Sequence, residues 1–380
     1  MEQRVLFTAS TFSHIRNFHL PYLKAFQDRG YAVTVACGGA PEDLPYVDRN
    51  LPLPLEKKKT SVQNLTAARL LRQELTREPY ALVSCHTSLA SFFTRLAVSG
   101  LRPRPIVVCT VHGYLFDERT KPEKRLVLSG AERAMAPVTD LLLTMNAWDA
   151  AYAAAHRLGR ETVCIPGMGV DFDALSAASE ESGAALRRRL GLGPERFVLL
   201  YAAEFSERKS QRVLLHALTE LPERAVLLLP GSGALLESCK ALAQQLGVAE
   251  RVIFPGQISG MGQWYAAADA VAASSRSEGL PFNIMEAMYF GLPVVASAVK
   301  GHTDLLREGE TGLLYPYGDS AACARQLRRL MDEPALAQCL GTQAHQAVRR
   351  YALDEVLPAV MAQYDRLLPC AGIGPSVAKK

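Results

Sequence analysis

The sequence predicts an α/β protein built from two doubly wound parallel sheets, and three observations lead there. Short apolar runs rich in β-branched residues alternate with helix-patterned segments along nearly the whole chain. Parallel strands buried on both faces read this way. The alternation pauses once, at Val163-Cys164-Ile165-Pro166-Gly167-Met168-Gly169-Val170-Asp171, and then starts again. Finally, 380 residues exceed one ordinary core, at roughly 150 residues per domain.

In the first half, strands are expected at Arg4–Thr8, Tyr31–Ala36, Ala81–Ser84, Pro105–Cys109 and Asp140–Thr144. One helix is expected from about Arg16 to Arg29, closed by Gly30. In the second half, a helix over Ala184–Leu190 precedes strands at Phe197–Tyr201, Ala225–Leu229, Arg251–Phe254, Ala270–Ala273 and Pro293–Ala296. Right-handed crossovers between such strands give a wound, open sheet. Leu353–Leu368 reads as a helix added after both sheets. The expected boundaries are 1–166, 167–352, a returning helix over 353–370, and a small, polar, frayed tail over 371–380.

Composition narrows the function class. With 49% hydrophobic and 21% charged residues, the chain is neither disordered nor a coiled coil. No run of eighteen or more apolar residues occurs. Val5-Leu6-Phe7 is too short for the apolar core of a signal peptide, so a cytoplasmic protein is expected. Eight cysteines without a CxxC pair point to buried free thiols in a reducing compartment, not to disulfides or structural zinc. Residues 1–170 carry 21 Lys+Arg against 15 Asp+Glu, whereas the remainder carries 21 against 23. The basic first half suits an anionic partner such as a lipid surface or a phosphate-bearing acceptor, or it serves solubility. Nothing points to nucleic acid.

In open parallel sheets, ligands bind beyond the carboxyl ends of strands, so loops that follow strands carry the most weight. Ser274–Met288 follows a predicted strand and enters a helix near Phe282, with Pro281 near the favoured first position. Gly279 frees the backbone, and the N–H groups of Leu280, Pro281's neighbours and Phe282 face an anion at the helix start. Glu278 and Glu286, eight residues apart, flank that position and can accept from sugar and ribose hydroxyls, or simply complement the helix dipole. Arg208 and Lys209 lie in another such loop and can neutralise a diphosphate. His112 closes a strand of the first sheet, followed by Gly113 and Tyr114. In the first loop, Ser10, Ser13, His14 and His19 serve either as side-chain donors or as helix caps.

Three weaker signals complete the inventory. Gly231-Ser232-Gly233 follows a strand and can approach a nucleotide base. Asp171-Phe172-Asp173 is formally D-x-D but sits at the expected hinge, where chance explains it better. Lys57-Lys58-Lys59 reads as a solvated loop, or as a contact for anionic lipid.

Residues 278–286 resemble the E-x7-E signature of the retaining glycosyltransferases of family 4, which have the GT-B fold. The likeness continues through Tyr289–Ser297, Gly301–Leu306 and Glu310–Leu314, and Ile165–Asp171 is similar to the family's hinge. Two departures stand out: Ala203 or Glu204 occupies the family's phosphate-binding Arg position, and Phe12-Ser13 replaces its two glycines. The resemblance implies an acceptor-binding first domain, a donor-binding second domain and a terminal helix packing back on the first. It implies transfer from a nucleotide-diphosphate sugar, UDP-linked by likeness to bacterial capsule and exopolysaccharide enzymes, to a saccharide or lipid-linked acceptor. Lys209 and Arg208 would hold the diphosphate, Glu286 the ribose and Glu278 the sugar. His112 would touch the donor sugar; Gly231 and Ser13 fall on the donor side, and His14, His19 and Tyr114 on the acceptor side. No metal and no cofactor are expected, and the basic first domain would rest on the inner face of the membrane. The alternatives are a nucleotide-sugar epimerase of the same fold and a binding protein without catalysis.

Overall fold

The computed structural model describes residues 3–56, 58, 60–177 and 181–368. Lys57, Lys59 and the 371–380 tail lie outside the described residues. The chain divides into two units, one comprising Met1–Met168 with the segment from Glu355 onward, the other Gly169–Asp354.

In the first unit, β1 (Arg4–Ala9), β2 (Ala32–Gly38), β3 (Arg49–Leu53), β4 (Leu82–His86), β5 (Ile106–Val111), β6 (Leu141–Thr144) and β7 (Glu161–Cys164) form one parallel sheet in the order β3-β2-β1-β4-β5-β6-β7. Val5, Leu6 and Phe7 of β1 are fully buried, as expected of a central strand covered on both faces. The terminal helix, Leu353–Asp365, brings Tyr364 into this unit, where its ring meets Phe26 edge-on and its hydroxyl lies 2.8 Å from Ser84 Oγ.

In the second unit, β8 (Phe197–Leu200), β9 (Ala225–Leu228), β10 (Val252–Ile253), β11 (Ala270–Ala273), β12 (Val294–Ser297) and β13 (Leu313–Tyr315) are parallel in the order β10-β9-β8-β11-β12-β13. Strand order reverses at β1/β4 in the first sheet and at β8/β11 in the second. Such switch points open a crevice at the strands' carboxyl ends.

Several expectations are corrected. The helix expected over 16–29 is two, Phe12–Phe18 and Leu20–Asp28. Pro21 has no N–H for the Asn17 carbonyl, which favours a break at this point. The His19 carbonyl instead accepts from the N–H groups of Tyr22 and Leu23 at 2.9 and 3.0 Å. β3, β7 and β13 were not expected as strands, and Ala249–Arg251 is a 3₁₀ turn that leaves β10 two residues long. The helix start near Phe282 is as expected, with Pro281 its N-cap next to the first helical position. The thiols are not uniformly buried, since Cys164 and Cys339 are exposed.

Candidate active site

In the second unit, the loops leaving β8 and β11 converge on Glu278. Its Oε1 accepts from Lys209 Nζ at 2.6 Å and from Ser275 Oγ at 2.6 Å, while Oε2 accepts from Arg208 Nη1 at 2.5 Å. Tyr201, at the end of β8, places its hydroxyl 2.7 Å from Ser275 Oγ. Backbone contacts set the loop pair: Arg276 N–H donates to the Arg208 carbonyl at 2.7 Å, and Ser274 Oγ to the Lys209 carbonyl at 2.9 Å. Burial alone would raise the Glu278 carboxyl; Lys209 and Arg208 outweigh it and bring it down to about 2. The two cations differ in access, with the Lys209 side chain 12% exposed and that of Arg208 47%.

Gly301, at φ +84°, backs this carboxylate; a Cβ there would press on Glu278 Cβ and the Gly279 carbonyl at 2.8 and 2.9 Å. His302 follows, almost fully buried, its Nδ1–H donating to the Ser297 carbonyl at 2.8 Å. Burial holds this ring down at about 4, against the pull of the Glu278 carboxylate.

Glu286 lies one turn into the helix Phe282–Tyr289 and accepts from the Tyr265 hydroxyl at 2.7 Å. Burial raises its carboxyl, and the Tyr265 bond opposes the shift. Gly279, Leu280 and Pro281 are buried against the helix start, and Phe282 is half-buried. Gly231 runs beside the β8 loop at φ +144°, where a Cβ would collide with the Ala203 carbonyl, so only glycine fits.

In the first unit, four histidines from three loops and strand ends gather at the β1/β4 switch point. On one continuous helix His14 and His19 would lie about 140° apart; the break before Pro21 brings their ring centroids to 5.2 Å. His112 after β5 lies 4.8 Å from His14 and 5.5 Å from His19, and His86 at the end of β4 lies 3.9 Å from His19 with the rings tilted 36°. His86 Nδ1 is 3.4 Å from His112 Nε2, and His86 Nε2 is 3.0 Å from Ser84 Oγ. Burial lowers all four rings: His14 to about 4, His112 to about 3, and His19 and His86 well below the ordinary value.

Thus the structure joins Arg208, Lys209 and Glu278 in one network and His14, His19 and His112 in another. Ser13 and Tyr114 join neither. Ser13 is exposed, its Oγ 3.0 Å from Thr11 Oγ1, and Thr11 caps the helix by accepting from His14 N–H. The Tyr114 ring is 5% exposed and packs on Phe116 in the core. Ser10 is held by Thr87. Sequence reasoning missed His86, Ser275 and Tyr265; Ser275 lies within the Ser274–Met288 segment already singled out, and His86 lies just past the strand expected to end at Ser84.

Comparison with known proteins agrees with this architecture. Residues 184–347 match the family described as Glycosyl transferases group 1, and residues 19–167 match Glycosyl transferase 4-like domain. The chain is 33% identical over 357 residues to EpsD of Bacillus subtilis (strain 168), whose name gives it as a glycosyltransferase and states no donor or acceptor; 93% of each chain is covered. It is 30% identical over 321 residues to a D-inositol 3-phosphate glycosyltransferase of Actinosynnema mirum, covering 78% of this chain and 75% of that one. Among solved structures, HepE of Anabaena in complex with UDP and glucose superposes with a TM-score of 0.79 at 22% identity, over 96% of this chain and 100% of that one. Sucrose-phosphate synthase of Thermosynechococcus elongatus gives 0.79 at 23% identity, over 96% and 99%.

Proposed function

The chain belongs to the group 1 glycosyltransferases and has their GT-B fold, and from that premise we propose that it moves a sugar from a UDP-linked donor to a saccharide or lipid-linked saccharide with retention of configuration, in cell-surface polysaccharide synthesis. The observation that carries this reading is the Glu278–Lys209–Arg208 network at the second sheet's switch point. The half-exposed Arg208 can turn to a diphosphate, and Lys209, held in place by Glu278, sets a second, fixed positive charge beside it. Cations of the protein then stabilise charge on the departing diphosphate, a role that needs no metal there. Glu286, set by Tyr265, takes the ribose hydroxyls, Glu278 takes a sugar hydroxyl, and His112 contacts the transferred sugar.

The donor half of this proposal is tested by thermal shift with UDP-, GDP- and ADP-sugars in EDTA. A UDP-sugar at 100 times its Kd is expected to stabilise the protein by about 2.7 kcal/mol, and Glu286→Ala to lose most of the shift. A shift with a GDP- or ADP-sugar alone would replace the nucleotide assignment. No shift with any donor would sink the donor site.

The acceptor half draws on the surface of the first unit. On and before the helix Pro122–Met135, Leu115, Leu126 and Val127 are 50%, 73% and 71% exposed, with Lys121 and Lys124 exposed beside them. Exposed apolar side chains with Arg119, Lys121 and Lys124 beside them, interspersed with the exposed carboxylates Glu118 and Glu123, suit the boundary of a bilayer. No described helix is long and apolar enough to cross a membrane. We place the enzyme in the cytoplasm, resting on the membrane's inner face. Co-sedimentation with vesicles containing anionic lipid is expected for the native chain, and a several-fold loss for Leu126→Glu/Val127→Glu. Equal binding by both proteins would remove this surface from the proposal.

A further inference from the structure

The three rings that the sequence assigned separately, one to the donor sugar and two to the acceptor, share one small volume. We propose that His14, His19 and His112 form a tri-histidine site for a transition-metal dication of the zinc class, and that filling the site takes His112 out of the transfer reaction. The site itself does not depend on the transferase reading; its inhibitory consequence does.

Geometry carries the argument. One ring nitrogen from each histidine lies within 4.8 Å of the other two. With metal–nitrogen bonds of about 2.0–2.1 Å, three imidazoles meeting at tetrahedral angles have ring centroids roughly 5 Å apart. The observed separations are 4.8, 5.2 and 5.5 Å, with the rings inclined at 86°, 48° and 84° and not stacked on one another. Nitrogens around a four-coordinate ion are about 3.4 Å apart, so small rotations of His14 and His112, both only partly buried, close the set.

Hydrogen bonding points the same way. His19 is 0% exposed, and neither of its ring nitrogens has a hydrogen-bond partner; His14 Nε2 is likewise buried without one. Each such atom costs about 1–3 kcal/mol if left unmet, and a bound ion is one of the few things that answers several together. Neutral imidazoles offer lone pairs, and a set of nitrogens without carboxylates favours zinc, cobalt or nickel over magnesium or calcium. His86 supplies an outer support: it lies against His112 and is tied through Ser84 to the Tyr364 hydroxyl. Outer partners of this kind fix a ligating ring's orientation. Three protein ligands leave a fourth position for water.

The test uses full-length, tag-free protein stripped with EDTA and titrated with Co²⁺. Intense visible absorption of four-coordinate cobalt is expected, saturating at one equivalent, displaced by Zn²⁺ and without a thiolate charge-transfer band. His14→Gln, at a half-buried position, is expected to weaken binding at least about tenfold, whereas Cys164→Ser/Cys339→Ser leaves it unchanged. Absence of the visible band in the native protein, or its survival in His14→Gln, overturns the site and leaves a bridging water to satisfy these nitrogens. One equivalent of Zn²⁺ is expected to stop sugar transfer reversibly, with EDTA restoring it. Stoichiometric binding without inhibition overturns the inhibitory role alone.

Discussion

Replacing Lys209 by Met is expected to lower kcat by about two to three orders of magnitude and to lower stability as well, through two separable causes. The first is loss of a fixed cation where negative charge develops on the leaving group. The second is structural: Glu278 is 7% exposed, and Lys209 Nζ is one of its two charged partners. Breaking a buried pair costs about 3–5 kcal/mol because the remaining charge is left buried; Arg208 and Ser275 still bind this carboxylate, so the lower end is expected. The double variant Lys209→Met/Glu278→Gln removes the stranded charge, and should recover most of the stability but none of the turnover. Urea unfolding and donor turnover on all four proteins form a double-mutant cycle. If the double variant regains activity, Lys209 serves only to hold Glu278, and its assignment to the diphosphate fails.

That network was partly legible in the sequence because its charged members sit in loops that follow strands, where a helix start, a glycine and two carboxylates keep fixed spacing. What completes it was not legible. Tyr265 reaches Glu286 from the helix Met261–Ala267, and Tyr201 reaches Ser275 from the end of β8. Neither partnership leaves a trace in local spacing, since it exists only once the crossovers have been wound. The same holds for the strands. Central β1, β4, β8 and β11 read clearly because both faces are apolar, whereas edge strand β3 contains Pro52 and a half-exposed face, and edge strand β7 is exposed at Cys164. The histidine group shows the strongest form of this effect. His14, His19, His86 and His112 span almost one hundred positions, and two further facts bring them together: the helix break at Pro21 and the placement of β4 beside β1. Taken alone, His14 and His19 read as side-chain donors or helix caps, His112 as a contact of the donor sugar, and His86 was not singled out.

The first unit is expected to lose stability steeply between pH 6.5 and pH 5, and far more than the second. Its four clustered histidines have pKa values depressed in the folded state by burial, to about 4 for His14, about 3 for His112 and well below ordinary for His19 and His86. A depressed histidine contributes stability that is fully present above its unfolded value near 6.5. That contribution is lost as pH falls toward the folded value, because the unfolded chain takes up protons the native rings refuse. At pH 5 this amounts to about 2 kcal/mol each for His14 and His112, and His19 and His86 add in the same direction, against a whole-domain stability on the order of 5–15 kcal/mol. In the second unit His302 is the ring held down in this way, at about 4. Glu278, lowered to about 2 against an ordinary 4.5, gives up its contribution only between those two values. The first unit should therefore show the steeper loss of stability as pH falls, the more so because the raised Glu286 carboxyl of the second unit acts in the opposite direction. The two tryptophans make this measurable, since Trp148 lies in the first unit and Trp264 in the second. Urea unfolding in EDTA, followed by the fluorescence of Trp264→Phe and Trp148→Phe in turn, reads each unit separately. A first unit equally stable at pH 7.5 and pH 5 would mean that its histidines are solvated or already charged, and that the packed neutral cluster does not exist in solution.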